Sequence, residues 1–260
     1  MLRWDHPIFG IAHAVEVNTA SAPKNNATLA AELVELYLET RTGPLSIFGP
    51  GYYGFEKLPE PYRSALSVDT VTQLDKLFPA DWPEIEWLPN PTYNGNNTNK
   101  ITADPVDGKN YATMSLALIA PLSRGRVTLN SPHMWDLPTV DPQWFTAQAD
   151  KEIAIQAFRR VREMWQIFVD LGIADQEEAY PGPQVQTDEE ILDWIGRSML
   201  TVYHAAATNK MGQASDPMAV VDRNARVFGT ENLRIVDASA FPFLTPVSFH
   251  SHKTTNETVH

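Results

Sequence analysis

The chain has 260 residues, of which 43% are apolar and 20% are charged, a balance typical of one large globular domain or two small ones. Lys and Arg number 20 against 32 Asp and Glu, so the formal net charge is −12. An acidic surface is unsuited to phosphate backbones or anionic lipid. We therefore expect a small-molecule substrate, with no nucleic acid and no membrane as partner.

The composition also restricts the chemistry. The sequence contains no cysteine, which excludes disulfides, thiolate nucleophiles and Cys-ligated metal sites. The histidines show no spacing typical of a shared metal, so no metal is predicted. The first residues lack the apolar run of a signal peptide, and we expect a cytoplasmic location.

Two helices separated by loops are predicted in the first hundred residues. Apolar residues recur at helical spacing over residues 28–40, and Ser67 opens a second such stretch over 67–77. Residues 90–100 read as a loop. Residues 45–61 are rich in Gly, Pro and aromatic residues, which favours either a loop over an apolar ligand or an ordinary loop covering the core. Its candidate substrate-binding residues are Tyr52, Tyr53 and Phe55.

The next elements predict a sheet with helices against it. Residues 111–119 and 125–129 have the β-branched character of strands, and we expect them to pair with each other. The longest periodic segment, residues 145–171, predicts a helix on the apolar face of that pair. A capping box at residues 187–190 predicts the start of a further helix. Helices interleaved with antiparallel strands make an α+β domain.

His204 is the leading candidate for proton chemistry, because imidazole has the side-chain pKa nearest neutrality. It precedes the small-residue run Ala205 to Ala207, which would let a substrate approach the ring. The alternative is a buried structural histidine beside Tyr203. The sequence has no glycine-rich dinucleotide motif, no phosphate-loop lysine motif and no nucleophilic serine elbow.

The last third of the sequence carries an extended match to a known family. Residues 203–212 read YHAAATNKMG, residues 219–222 read AVVD, residues 227–229 read VFG, and residues 233–239 read LRIVDAS. In order and spacing these segments resemble the C-terminal signature of the glucose–methanol–choline (GMC) oxidoreductase family. Residues 120–127 and the pair Asp5 and His6 are similar to further segments of it. The resemblance is greatest to its fungal branch of aryl-alcohol-type oxidases and a versicolorin B synthase-like cyclase.

The resemblance implies a role for each matching residue. His204 matches the family's active-site histidine, which acts as a base toward a substrate hydroxyl while hydride passes to flavin. Asp237 and Ala238 match the segment that meets the flavin, so they are cofactor-binding candidates if FAD is retained. His250 is the candidate for the family's second active-site residue, and Tyr203 is a candidate substrate-binding residue.

The sequence also departs from the family's pattern. In the family, the glycine-rich turn that binds the flavin's ADP precedes the Asp-His pair, and this sequence begins near that pair. The resemblance thus implies an antiparallel sheet of about six strands backed by helices, with the flavin domain largely absent. We divide the chain into a helical and loop-rich part (1–110), a part with the sheet, long helix and family signature (111–246), and a divergent tail (247–260).

Three functions remain open. The first is a catalyst without cofactor that cyclises, dehydrates or isomerises a polyketide-like molecule. The second is the C-terminal part of an FAD-dependent alcohol oxidoreductase, and the third is a binding remnant without turnover. Without a flavin domain, apolar surface would be exposed, so we expect a homo-oligomer that uses residues 45–55 or the tail after residue 241.

Overall fold

The computed structural model describes residues 2–46, 51–95 and 105–246, and its centre is an antiparallel sheet. The strands in chain order are β1 (Leu2–Arg3), β2 (Pro7–Val15), β3 (Gly54–Glu56), β4 (Ile85–Asn90), β5 (Asn110–Leu118), β6 (Gly125–Thr128), β7 (Thr139–Asp141), β8 (Ala174–Tyr180) and β9 (Leu200–Thr201). The helices are α1 (Ser21–Asn25), α2 (Ala27–Thr40), α3 (Val68–Leu77), α4 (Gln148–Asp170) and α5 (Asp188–Ser198).

Six strands form the larger sheet, in the order β3, β4, β5, β2 and β8, with β9 also paired to β2. Every pairing within it is antiparallel. The α+β class and the sheet of about six strands are therefore confirmed.

Residues 1–110, predicted to be rich in helices and loops, also carry four strands. The most central is β2, which lies between β5 on one side and β8 and β9 on the other. Almost all of β2 is buried on both faces of the sheet. A strand of this kind is apolar throughout and lacks the alternation that identifies a half-buried strand, so the sequence pattern did not reveal it.

The predicted long helix is confirmed as α4 and covers one face of the sheet. Ile153, Ala157 and Val161 are buried in the main core. Trp165 lies further along the same face, and its indole Nε1 donates a 3.0 Å hydrogen bond to the carbonyl of Ile11 in β2. The helix is therefore attached to the central strand by both packing and a buried hydrogen bond.

The expected pairing of β6 with β5 was wrong. Instead, β6 lies between β1 and β7 in a second, three-stranded sheet. The buried carboxylate of Asp150, in the first turn of α4, accepts hydrogen bonds from the backbone N–H groups of Leu122 (2.6 Å) and Ser123 (2.9 Å). These bonds fix the chain after β5 against the helix, so it leaves the larger sheet and does not form a hairpin.

The other predicted helices are confirmed, and each begins with a side-chain cap. Asn26 caps α2, Ser67 caps α3, and Thr187 with Glu190 forms the capping box of α5. No residue of α2 is fully buried, so its apolar stripe lies at the surface. Within the described ranges, no helix is both long and apolar enough to cross a bilayer.

Candidate active site

Two distant parts of the chain meet at one end of the larger sheet. Asp5 and His6 stand immediately before β2, and His204 follows β9 by three residues. Pairing of Pro7 with Thr201 brings these two segments side by side. His204 and His6 are 198 residues apart in sequence, so sheet register creates the site.

The two histidines share a hydrogen bond. His6 Nδ1 lies 3.1 Å from His204 Nδ1, and the rings meet edge to face with centroids 5.3 Å apart. Their exposed fractions are 0% for His6 and 6% for His204. Burial, followed by the proximity of His204, holds the pKa of His6 well below 6.5, while the backbone of Ile119 acts in the opposite direction. The His6 imidazole is therefore neutral at pH 7.

A carboxylate positions both histidines through their backbones. Asp5 Oδ1 accepts hydrogen bonds from the N–H groups of His6 (3.0 Å) and His204 (3.1 Å). Its Oδ2 accepts from the Thr201 hydroxyl and the Arg3 guanidinium, each at 2.7 Å. Burial raises the pKa of Asp5, and the bonds from Thr201 and Arg3 oppose that rise. One buried side chain thus ties the start of β2 to the loop that carries His204.

The loop around His204 has the small residues that the sequence predicted. Ala206 is buried and exchanges two backbone hydrogen bonds with Trp4, of 3.0 and 2.8 Å. Tyr203 adopts a left-handed backbone conformation, and its side chain is 79% exposed. The structure therefore places Tyr203 next to His204 in sequence but directs its ring toward the surface. Its predicted role in substrate binding stays a prediction.

Asp237 and Ala238 pack against the His204 loop. Ala238 begins a short 3₁₀ helix, Ala238–Ala240, and its carbonyl accepts a 3.4 Å hydrogen bond from the N–H of Ala207. The Asp237 carboxylate accepts hydrogen bonds from the backbone N–H and the hydroxyl of Ser239. That carboxylate is thus already used in capping.

These residues do not form a site for the pyrophosphate of FAD. A dinucleotide site of the usual kind needs parallel strands and a glycine turn at a helix N-terminus. Within the described residues, every strand pairs antiparallel with its neighbours. The pyrophosphate of a flavin would have to be held by residues outside this part, and the cofactor-binding role of Asp237 and Ala238 stays a prediction.

The predicted aromatic group lies elsewhere. Phe55 is on β3, four strands from β9, which corresponds to about 19 Å at the usual strand spacing. Tyr52 and Tyr53 precede that strand and are exposed, Tyr52 at 83%. The structure does not bring these rings to the histidine pair, and their substrate-binding role stays a prediction. His250 lies outside the described residues.

Sequence reasoning missed three buried polar residues. The sequence indicates Asp5 and His6 only through the family motif, because the strand that follows them, β2, shows no alternating pattern. The third is Glu86 of β4, which pairs with Ala117, itself paired with Ile8. The side chains of Glu86, Ala117 and Ile8 therefore point to the same face of the sheet. Because side chains alternate along a strand, His6, two residues before Ile8, lies on that face as well. The usual strand spacing and rise put Glu86 about 12 Å from His6.

The expectation that the chain holds no metal stays a prediction. No group of three or more His, Asp or Glu side chains is arranged to hold an ion in the part of the chain that the structure covers. The hydrogen bond between His6 and His204 also directs their Nδ1 atoms at each other. The arrangement is suited to proton transfer at a buried imidazole.

Comparisons with known proteins assign the chain to a family. The GMC oxidoreductase profile matches residues 121–252, and the chain belongs to this family. It is 43% identical over 243 residues to the dehydrogenase pkfF of Emericella nidulans, and this alignment covers 94% of this chain and 39% of the dehydrogenase. It is 41% identical over 239 residues to versicolorin B synthase of Aspergillus parasiticus, with 92% of this chain and 36% of the synthase covered.

A solved structure shows the same fold. The chain superposes on a formate oxidase of Aspergillus oryzae with a TM-score of 0.80 at 19% identity, and the match covers 96% of this chain and 44% of the oxidase. The chain spans less than half the length of these proteins. The resemblance expected from the C-terminal signature is thereby confirmed.

Proposed function

We propose that this chain is the substrate-side part of a GMC enzyme of fungal secondary metabolism. In this proposal His204 exchanges a proton with a hydroxyl group of a polyketide-like small molecule. The main support is the 3.1 Å hydrogen bond between His204 and His6, in a site where both rings are nearly fully buried. A fixed imidazole with little water around it is suited to general acid–base catalysis near neutral pH.

Cyclisation, dehydration or isomerisation is the reaction class that these residues can support by themselves. Each of these reactions removes a proton from one atom of the substrate and returns a proton to another, so no electron acceptor is needed. His204 would perform both transfers in turn. Similarity to a relative named versicolorin B synthase supports a reaction of the synthase type.

An FAD-dependent alcohol oxidation is the alternative. Similarity to the dehydrogenase pkfF, a protein more than twice as long as the matched region, supports it. FAD would accept a hydride from the substrate carbon, and it would be held by residues outside the part described. His204 would then take the hydroxyl proton. The same histidine serves both reactions, and the fate of the electrons distinguishes them.

The first test of the proposal is the His204→Ala variant. Purified protein is incubated with hydroxyl-bearing polyketide-type compounds, and products are followed by mass spectrometry. We expect turnover to fall by about two to four orders of magnitude, the usual contribution of a general acid–base group. His133→Ala is the matched control, because His133 is exposed and stacks on Trp135 far from the site in sequence.

Product mass and flavin content separate the two reactions. We expect no stoichiometric FAD in the purified protein and products of unchanged mass or of mass lowered by water. A flavin spectrum that persists through gel filtration, with products two hydrogens lighter, would favour the oxidoreductase. A His204→Ala protein that keeps its melting temperature and at least half the activity would refute the site, whereas a wild-type protein without any turnover would favour the binding remnant.

A further inference from the structure

The larger sheet carries a cavity on the face opposite the histidine pair. His13 of β2 stacks on Trp165 of α4, with ring centroids 4.6 Å apart, so it lies on the face that this helix covers. It follows His6 by seven residues, about 24 Å at the usual rise of a strand. His13 lines a cavity of about 230 Å³ that has α4 and β8 in its walls. This cavity is therefore distinct from the candidate active site.

An irregularity in strand pairing accompanies the cavity. The register of β2 with β8 shifts between the pair of His13 with Glu178 and the pair of Val15 with Ala174. A bulge of this kind leaves residues outside the ladder and redirects their side chains. Gln176 and Glu177, within the bulged stretch of β8, line the cavity. The irregularity thus supplies two of its polar side chains.

The His13 ring presents an unused acceptor to the cavity. Its Nδ1 lies 3.0 Å from the carbonyl oxygen of Asp175. Because a carbonyl can only accept, Nδ1 of the neutral ring carries the proton and Nε2 carries the lone pair. This Nε2 has no hydrogen-bond partner among the described residues, and it is not sealed from solvent as Nε2 of His6 is. The ring itself is only 5% exposed.

The charges around the cavity leave one carboxylate without a cation. The Arg162 guanidinium donates to both carboxylate oxygens of Glu178, at 2.8 and 3.0 Å, so these two charges compensate each other. Lys109, whose charge also acts on Glu177, is bonded to Asp175 at 2.8 Å. Glu177 forms no salt bridge in the described part of the chain. The residues that line the cavity therefore carry a net negative charge.

The side-chain amides of the cavity also offer acceptors. The amide nitrogen of Gln166 donates to Asp170 at 2.8 Å, and that of Gln186 donates to the carbonyl of Pro183 at 2.6 Å. Both amide oxygens are left to accept. Together with Nε2 of His13 they make a site that is suited to a ligand with several donor hydrogens.

We propose that this cavity binds the head group of a small primary-amine cation. Its N–H groups would donate to Nε2 of His13 and to an amide oxygen, and Glu177 would balance its charge. The cavity is smaller than the roughly 300–1,000 Å³ typical of sites for drug-sized ligands, so the cation is a short one. No three His, Asp or Glu side chains within the described ranges are arranged to hold a metal ion, so an organic cation fits better.

The test uses propylammonium chloride and protein labelled with ¹⁵N in its histidine rings, at pH 7.5 and constant ionic strength. We expect the Nε2 resonance of His13 to shift with a Kd in the millimolar range, as expected for so small a ligand. The His13→Phe spectrum assigns that resonance. Propan-1-ol has a donor but no charge, and tetramethylammonium has a charge but no N–H group. Each should bind about tenfold more weakly or worse.

Two variants measure the contributions of the site by calorimetry. Glu177→Gln removes the charge and keeps the shape, and it should weaken propylammonium binding about three- to fivefold. The exposed Glu231→Gln is its matched control and should bind as wild type does. His13→Phe keeps an aromatic ring beside Trp165 and removes the acceptor, and it should weaken binding about tenfold or more. The exposed His133→Phe is the control for that change.

Each contrary outcome is distinct. The absence of any shift of the His13 resonance in wild-type protein would overturn the proposal. Equal binding of propan-1-ol would assign a neutral hydroxyl ligand instead, and binding of Ni²⁺ in place of propylammonium would assign a metal. If His13→Phe fails to fold, Glu177→Gln and the three probes still decide. His204→Ala should bind propylammonium as wild type does, so failure of the proposed function would leave this result unchanged.

Discussion

Among the described residues, a buried carboxyl group without a salt-bridge partner lies on the same sheet face as the histidine pair. The Glu86 side chain is 2% exposed, and its Oε2 has no hydrogen-bond partner in the described part of the chain. Desolvation raises its pKa from 4.5 to about 7. Near neutral pH this group is therefore partly protonated, unlike an ordinary surface glutamate.

This pKa predicts a stability that falls as pH rises. Between about pH 4.5 and 7 the folded state binds more protons at Glu86 than the unfolded state does, so the free energy of unfolding decreases with increasing pH. The full cost above that window is about 3 kcal/mol. Glu86→Gln should remove this dependence, so the variant should be more stable than wild type at pH 8 and gain less at pH 5.

Urea unfolding at pH 5 and pH 8 measures the effect. His6 and His13, whose pKa values are lowered, titrate in both proteins, and their contributions cancel in the comparison. The exposed Glu231→Gln is the matched control for the chemical change. Equal stability differences between Glu86→Gln and wild type at the two pH values would show that Glu86 is ionised at pH 5 in the folded protein.

At the scale of single elements, the second sheet depends on close backbone approach at Gly125. A Cβ atom there would lie 2.4 Å from the carbonyl oxygens of both Asp141 and Pro142. Backbone atoms cannot yield as a flexible side chain can. Glycine therefore permits the contact between β6 and β7 that keeps β6 away from the larger sheet.

Two substitutions of glycine by alanine should change the stability of the protein in opposite directions. Gly125→Ala should destabilise the protein by about 1–3 kcal/mol, because the added methyl group forces β6 and β7 apart. Gly196→Ala is the matched control in the exposed interior of α5, where a Cβ meets nothing within 4 Å. It should stabilise the protein by about 0.5–1 kcal/mol through helix propensity. Thermal melts of both variants would show the contrast, and a neutral Gly125→Ala would refute the packing argument.

At the scale of the whole molecule, apolar side chains remain at several surfaces of the described chain. Tyr52 and Tyr53 precede β3, Leu38 lies on α2, and Met134 and Trp135 lie between β6 and β7, all exposed. Exposed apolar groups in this number favour association. The structure contains a single chain, so the expected homo-oligomer stays a prediction.

Light scattering after gel filtration tests that prediction. We expect a dimer or larger assembly at micromolar concentration, with association weakened in a Tyr52→Ser, Tyr53→Ser double variant. A Met134→Ser, Trp135→Ser double variant removes a comparable apolar area from another surface and serves as the control. A monomeric wild-type protein would contradict the expectation, and weakening by the control alone would move the interface to the segment between β6 and β7.

The sequence by itself determined the family and the helices α2, α3, α4 and α5, but not the short α1. The helices that start at Asn26, Ser67 and Thr187 are each capped by a hydrogen bond to a residue three positions away. The residues that define a helix start therefore lie close together in the sequence. The signature around His204 is likewise contiguous. Neither signal therefore depends on a contact between distant residues.

Only the tertiary structure decided the strand partners and the composition of the site. The central place of β2 and the pairing of β6 with β1 follow from hydrogen bonds between remote segments. The sequence of a strand does not specify which other strand it will pair with. The contact of His6 with His204 spans 198 residues and arises from the register of β2 with β9. Register is a property of the assembled sheet, because it is set by which faces are buried together.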